Sequence, residues 1–292
     1  MISHFNKTRL APTPSGYLHL GNILSFSITA ALARKCGAAI MLRIDDIDQT
    51  RADGRYIRDI FDTLHFLDIP WDEGPRNEKE FMENYSQLRR MATYNNALAE
   101  LAEKNLVFAC ACSRRELLTL GACLCREKDI ALYADNVSWR LITDSKQEIP
   151  VKNYGGVEIS GVLPAEMHNF VVRKKDGYPA YQLASVVDDL FYGIDLIVRG
   201  ADLWPSTLAQ QVLAAALGWH QFSNISFFHH PLLIEASGHK MSKSAGAAAV
   251  KYMREIGNSK AEVFGKIGSL LGPAETIRNW EELAHAAAAI WL

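Results

Sequence analysis

The residues best suited to chemistry fall in three groups. The first is the run Thr8–Asn22, TRLAPTPSGYLHLGN, in which His19 and Asn22 follow a Gly/Pro-rich stretch. Pro12 and Pro14 cannot donate backbone hydrogen bonds and hold the chain extended. Gly16 and Gly21 allow tight turns and close approach to a ligand. The second is Gly238–Ala245, GHKMSKSA, where Lys240 and Lys243 flank Ser242. Two lysines around a hydroxyl suit a polyphosphate, whose charge they can neutralise. The third is Cys110, Cys112, Cys123 and Cys125, four of the five cysteines within sixteen positions. In a cytosolic chain such clustering points to a metal rather than to disulfides. Four thiols are enough for a closed tetrahedral Zn²⁺ site, and buried thiols without a ligand are the alternative. No Ser/His/Asp or Cys/His set suggests a covalent nucleophile.

These groups need elements to position them. The first reads as a strand, a turn carrying His19, and a helix with Asn22 as its N-cap, running to Lys35 and stopping at Gly37. Exposed N–H groups and the helix dipole make such a turn an anion site suited to phosphate. Taken alone, the stretch fits an ordinary strand–helix connection equally well, and KMSKS alone fits a solvated basic loop. Ala39–Ile44 is a β-rich run followed at once by Asp45, Asp46 and Asp48. Carboxylates at the C-terminal end of a strand lie where an open α/β sheet meets its ligands.

Tyr56–Leu67 is apolar at helical spacing, Pro70–Pro75 is a loop, and Leu88, Met91, Tyr94, Leu98 and Leu101 trace a helix ending near Asn105. From Leu106 to Tyr178 the strands shorten. Phe170–Arg173, a turn at Asp176-Gly177 and Tyr181–Leu183 predict a hairpin. Ile194–Val198 resumes a buried strand ending at Arg199-Gly200. Pro205 opens a helix to Leu217 with Gly218 as its stop, Ile225–Ile234 holds the next strand, and Tyr252–Leu292 reads as a helical tail. The expected fold is α/β, a Rossmann-like catalytic domain over 1–105 and 179–250. It is split by an inserted, cysteine-bearing subdomain over 106–178 and followed by a short helical C-terminal tail over 251–292.

With 292 residues, 49% hydrophobic and 22% charged, the chain has ample core for one large domain or two smaller ones. A formal net charge of −2 gives no global sign of nucleic-acid binding. Any RNA contact has to come from a local patch, and Arg114–Arg115 and Arg173–Lys175 are candidates that equally fit a solvated face. Ile23–Ala33 has the length of a signal-peptide core, but Ser25, Ser27 and Thr29 interrupt it and prolines precede it. No run approaches the roughly 18 apolar residues of a membrane span. The expectation is a cytoplasmic, monomeric protein with no membrane partner.

HLGN followed far downstream by KMSKS resembles the signature pair of class I aminoacyl-tRNA synthetases. RLAPT at Arg9–Thr13, LRIDDID at Leu42–Asp48, YQLASVVDD at Tyr181–Asp189 and RGADL at Arg199–Leu203 resemble the glutamyl-tRNA synthetase family. That resemblance implies ATP as substrate with Mg²⁺ at its phosphates. Its ATP site comprises His19, Gly21, Asn22, Lys240, Ser242 and Lys243, with His19 and Lys243 catalytic. Its glutamate site comprises Arg9, Leu10, Ala11, Pro12, Thr13, Asp45, Tyr181 and Arg199. In the family the two arginines serve the substrate carboxylates, the first acid of the LRI motif meets the α-amino group, and the tyrosine helps close the pocket. A dicarboxylate with one ammonium does want two guanidiniums and one carboxylate. Asp188-Asp189 reads as structural or capping.

The family also places a CxC pair where Cys110–Cys112 stands, with its other ligands further along than Cys123 and Cys125. Full-length members continue into an anticodon-reading helical domain, whereas here a short tail follows KMSKS. In this the chain resembles the glutamyl-Q tRNA(Asp) synthetase family. The implied activity is ATP-dependent activation of L-glutamate without tRNA, then transfer to queuosine in the anticodon of tRNA(Asp). A truncated glutamyl-tRNA synthetase charging a tRNA 3′ end, an amino acid ligase with another acceptor, and a non-catalytic glutamate- or tRNA-binding paralogue are the alternatives.

Overall fold

The computed structural model describes residues 4–120, 123–233, 249–272 and 277–291. Contacts divide the chain into two compact units, each discontinuous in sequence. The first comprises Met1–Arg89, Ile194–Leu203 and Phe227–Leu292; the second comprises Arg90–Gly193 and Trp204–Ser226.

The first unit is built on a β-α-β crossover. Strand β1 (Lys7–Leu10) runs parallel to β2 (Ala39–Leu42), in register from Lys7–Ala39 to Leu10–Leu42. Helix α1 (Leu20–Cys36) connects them, and its buried positions include Leu20, Ile23, Leu24, Ser27, Ile28 and Ala30. Parallel strands need such a crossover, and a helix buried on so many sides is expected to be apolar almost all round. Gly37, with φ of 75°, ends α1 in the left-handed conformation that glycine adopts without steric cost.

The strand expected over Ala39–Ile44 stops at Leu42, although backbone pairing continues on one side. Arg43 N donates to Leu10 O and Asp45 N to Pro12 O, both at 2.9 Å. Pro12 and Pro14 have no N–H to return these bonds, so the ladder becomes one-sided. Helix α2 (Gly54–Phe66) starts at an Asp53 cap, and the single turn α3 (Glu78–Glu80) starts at an Asn77 cap.

Strand β8 (Leu196–Gly200), hydrogen-bonded to β9 (Ser226–His230), lies against β1. Asp195, just before β8, accepts from the backbone N–H groups of Asn6 and Lys7 at 2.8 and 2.9 Å. Among the described residues the tail holds the helices α8 (Val250–Glu255), α9 (Lys260–Leu271) and α10 (Trp280–Trp291). Gly257, with φ of 87°, separates the first two, Ser259 and Glu262 form a capping box for α9, and α10 packs along α1.

The second unit contains α4 (Met91–Glu103), β3 (Val107–Cys110), α5 (Arg114–Leu120), β4 (Ser138–Leu141), β5 (Glu148–Lys152) and β6 (Glu158–Val162). These are followed by β7 (Val171–Arg173), α6 (Tyr181–Phe191) and α7 (Trp204–Leu217). Strands β3, β4 and β7 form one antiparallel sheet, and β5 and β6 pair in a separate two-stranded sheet. By contacts, α4, α6 and α7 group with the block expected as an insertion over 106–178.

Two expectations fail here. Leu88 belongs to a short 3₁₀ turn ahead of α4 rather than to its apolar face. The hairpin after β7 closes at Pro179, which bridges Arg173, with Ala180 N donating to Val172 O. Tyr181–Leu183 therefore opens helix α6 instead of forming a return strand. Leu183, Val186 and Val187, all buried, carry the helical period that decides the matter.

Asp188, fully buried, accepts two hydrogen bonds from Arg90 at 2.8 and 3.1 Å and one from the Tyr94 hydroxyl at 2.7 Å. Burial together with the Asp188 charge pushes the Tyr94 phenol far above its usual range, so it stays a donor. Asp188 is thus structural. It joins α6 to α4 rather than capping a helix.

Candidate functional site

His19 is the N-cap of α1, in extended backbone geometry, and Asn22 is not. The His19 Nδ1 accepts from Gly21 N at 3.1 Å, while Asn22 Oδ1 accepts from His19 N at 3.1 Å. The pair forms a capping box in which an imidazole takes the hydroxyl's place, because its Nδ1 reaches the same N–H groups. With Nδ1 accepting, the neutral ring carries its proton on Nε2, a donor suited to a phosphate oxygen. The first turn of α1 holds no acidic residue, so nothing there opposes an anion at the helix dipole. A Cβ on Gly21 would sit 3.1 Å from the His19 Nδ1 and Cε1, so glycine lets the imidazole lie over the helix start.

Ala249 pairs with His19 in an antiparallel bridge, and Val250 N donates to Leu18 O at 2.9 Å. The first turn of α8 is thereby attached to the HLGN segment. Lys240, Ser242 and Lys243 lie outside the described residues.

The positions of the first unit expected to meet glutamate lie at the same end of its strands. Arg9 is buried on β1, and its Nη1 donates to Val198 O of β8 at 3.4 Å. Arg199, the next residue on β8, is also buried, and its guanidinium lies 5.1 Å from the centre of the Phe227 ring. Asp45 is held beside Pro12 by its backbone bond, so Leu10, Ala11, Pro12 and Thr13 run along the segment that carries it.

Asp45 does not stand alone. Arg43, 2% exposed, grips it in a two-point fork, Nε to Oδ1 at 2.7 Å and Nη2 to Oδ2 at 2.9 Å. The neighbouring Asp46 serves the loop instead, accepting from the Ser86 hydroxyl at 2.6 Å and Gln87 N at 2.7 Å. Gln87 in turn accepts from Ile47 N at 2.7 Å. The loop after β2 is therefore fixed at both acids. Tyr181 is the exposed first residue of α6 in the second unit.

Chain comparison supplies the family. The profile for class I tRNA synthetases (E and Q), catalytic domain, matches residues 6–131 and 135–280. A protein of Synechococcus sp. (strain CC9605) named glutamyl-Q tRNA(Asp) synthetase is 36% identical over 282 residues, covering 95% of this chain and 88% of its own. One of the same name from Nitratidesulfovibrio vulgaris is 32% identical, covering 90% and 86%. This chain belongs to the glutamyl-Q tRNA(Asp) synthetase branch of the class I tRNA synthetases. These are ATP-dependent ligases.

The crystal structure of a glutamate–tRNA synthetase from Elizabethkingia anophelis shares the fold, with a TM-score of 0.71 at 20% identity. This chain is covered to 96% in that comparison and spans 65% of the solved chain. A glutamate–tRNA ligase from Elizabethkingia meningosepticum matches similarly, with a TM-score of 0.69 and 64% of its length. Among the described residues, no helix is long and apolar enough to cross a membrane.

In the second unit Cys110 ends β3, and its sulfur lies 3.3 Å from that of Cys123, while Cys112 and Cys125 are 3.4 Å apart. All four sulfurs fall within 4.8 Å of one another. Tetrahedral zinc at about 2.3 Å from each sulfur needs them roughly 3.8 Å apart, which this cluster can meet with small adjustments. Burial works to raise the Cys110 thiol, yet Arg140 beside it and a hydrogen bond with Cys123 bring it down to about 7. Burial and the neighbouring sulfurs push Cys112 up to about 12. Four thiolates in this space need a cation to offset their repulsion, so the donor set fits zinc. It would be held by all four cysteines, with no open position for a substrate. Lys175 Nζ donates to Ala111 O at 2.7 Å and braces the loop between Cys110 and Cys112.

Sequence reasoning missed the Arg43 fork and a histidine pair at the end of β9. His230 Nδ1 donates to Pro231 O at 2.8 Å, so its Nε2 accepts from the Ser25 hydroxyl at 2.8 Å and ties β9 to α1. Burial, then Arg199 and then His230, hold His229 neutral, its pKa lowered to about 3. A neutral imidazole adds no positive charge beside Arg199. Arg43 was visible inside LRIDDID, but nothing in the spacing says that an arginine two residues before an acid turns back onto it.

Proposed function

We propose that this chain activates L-glutamate with ATP and transfers it to queuosine in tRNA(Asp). The observation that carries the reading is the convergence of buried Arg9 and Arg199 with Asp45 in one unit, in a chain whose relatives bear the glutamyl-Q tRNA(Asp) synthetase name. A free dicarboxylic amino acid has two anionic ends and one cationic group. Two guanidiniums and one carboxylate complement it.

In the first step a glutamate carboxylate oxygen attacks the α-phosphorus of ATP, the bond to the β-phosphate bridging oxygen breaks, and pyrophosphate leaves. His19 Nε2–H and the α1 N-terminus serve the phosphates, and Lys240, Ser242 and Lys243 are the further phosphate-binding residues that the family resemblance implies. A Mg²⁺ bound with the ATP phosphates would supply further charge compensation. In the second step a cyclopentene hydroxyl of queuosine attacks the acyl carbon, loses its proton, and AMP leaves. The four cysteines would hold a structural zinc that orders the second unit. The protein acts as a cytoplasmic monomer.

The test uses tRNA(Asp) with and without queuosine, labelled glutamate and ATP. The 3′ end is blocked by a terminal dideoxynucleotide, because periodate would also cleave the cyclopentene diol. Label that needs queuosine and survives the blocked 3′ end is the expected result. Label that ignores queuosine and vanishes on blocking would replace this reading with 3′-end charging. The Acidithiobacillus ferrooxidans relative named glutamate–tRNA ligase 2, 32% identical over 86% of this chain, makes that comparison pertinent.

A further inference from the structure

The second unit presents an aromatic ring that glutamate activation does not use. Tyr133, 78% exposed, lies in the loop between the cysteine cluster and β4. It stands edge-to-face on Trp139, with ring centres 5.2 Å apart and planes at 87°. Trp139 is buried on β4, and its Nε1 donates to Leu132 O at 2.7 Å. One indole therefore supports both the tyrosine ring and the backbone just before it.

The Arg173 guanidinium packs on the same indole, 5.1 Å from its centre, where Arg173 of β7 pairs with Trp139 of β4. Lys174 and Lys175 follow it in sequence. Lys174 sits 5.5 Å from the Tyr178 ring centre and pairs with Asp176 at 2.9 Å, and Lys175 is anchored on Ala111 O. The loop bearing Tyr133 contains Lys128 as well as Asp129 and Asp135. With Lys174 paired to Asp176, attraction for phosphate rests on Arg173 and Lys175, and the loop contributes the ring.

A firmly supported aromatic surface in water, on an indole that also carries an arginine, has the chemistry of a base-stacking site. Unpaired bases stack on aromatic side chains whatever their sequence, and RNA is read mostly at such bases. We infer that Tyr133, seated on the Trp139 indole that also carries Arg173, is a stacking platform for an unpaired nucleobase of the RNA acceptor. This rests on the reading of that acceptor as an anticodon loop.

The experiment uses the full chain and a fluorescein-labelled RNA hairpin with the tRNA(Asp) anticodon stem and loop, queuosine included. Binding is followed by anisotropy at several salt concentrations. Tyr133→Leu keeps apolar bulk but has no π-face, and it should weaken binding by about tenfold or more. Tyr133→Phe and Tyr133→Trp should bind as the parent does. The slope of log affinity against log salt should be unchanged in Tyr133→Leu, since the lost contact carries no phosphate charge.

A second readout does not depend on affinity. With 2-aminopurine at successive loop positions, one position should be quenched on saturation with parent protein and not with Tyr133→Leu. Parent-like affinity and quenching in Tyr133→Leu would overturn the platform, and so would an equal loss in Tyr133→Phe. Labelling of queuosine tRNA by the parent is measured alongside. If it proceeds while Tyr133→Leu behaves as the parent, only the platform falls. If the parent neither labels nor binds the hairpin, the acceptor reading falls and takes the platform with it.

Discussion

Replacing Arg43 by methionine tests whether Asp45 meets the amino group of glutamate. The side chain is nearly isosteric in length, but both hydrogen bonds to Asp45 disappear. Asp45 is 6% exposed, so its charge is left buried without that guanidinium. Breaking one partner of a buried pair costs about 3–5 kcal/mol. A carboxylate relieves such a cost by taking up a proton, because burial raises its pKa.

At neutral pH the substrate ammonium then faces a partly neutral acid. The KM for glutamate should rise by about tenfold or more, since each ~1.4 kcal/mol is a factor of ten. The kcat should change less, because neither residue is placed at the phosphates. The sign of the pH effect follows: the acid is neutral below its raised pKa, so KM should fall as pH climbs from 6 to 9. Arg43→Lys restores charge without the fork and should lie between parent and methionine variant. The assay is glutamate-dependent pyrophosphate exchange across that pH range, with thermal melting as a folding control. A folded methionine variant with the parent's KM at every pH would refute the reasoning.

Gly21→Ala should separate stability from activity. Alanine is the better helix former by up to about 1 kcal/mol, so melting should hold or rise, while the new Cβ displaces the His19 ring and exchange falls about tenfold; parent-like exchange would show that the ring position does not matter. Protein purified without added zinc should carry one equivalent, and Cys112→Ser should lose most of it and melt lower; less than half an equivalent in the parent counts against the site.

Much of this was legible because it depends on local rules. Gly37 ends α1 and Pro205 sits in the first turn of α7, each through backbone chemistry that one residue type announces. The cysteine cluster was legible from composition, since thiols two apart on both sides of a short loop can scarcely avoid meeting. His19 as cap was not, because imidazole is an uncommon capping group and asparagine a common one. Tyr181–Leu183 continues a credible hairpin, and only the helical period beyond it argues for α6. The Arg43 fork, the Ser25–His230 tie and the Arg90–Asp188–Tyr94 cluster escaped for a shared reason. Each depends on where side chains turn after the backbone is set, and two of the three join residues far apart in sequence.

Asp195 caps the β1 end of the first unit across almost two hundred residues of sequence. On the ribosome this means that β1 and β2 emerge long before the strand that shelters them. At about 5–20 residues per second, roughly ten to forty seconds pass before β8 is made, and β9 follows later still. During that interval the β1 edge is exposed, with its backbone groups open to other strands. Arg9 and its neighbours therefore acquire their final surroundings near the end of synthesis, and a stalled or prematurely ended chain has two aligned strands and no completed pocket. Folding of this enzyme during translation should depend on holding chaperones more than its modest length suggests.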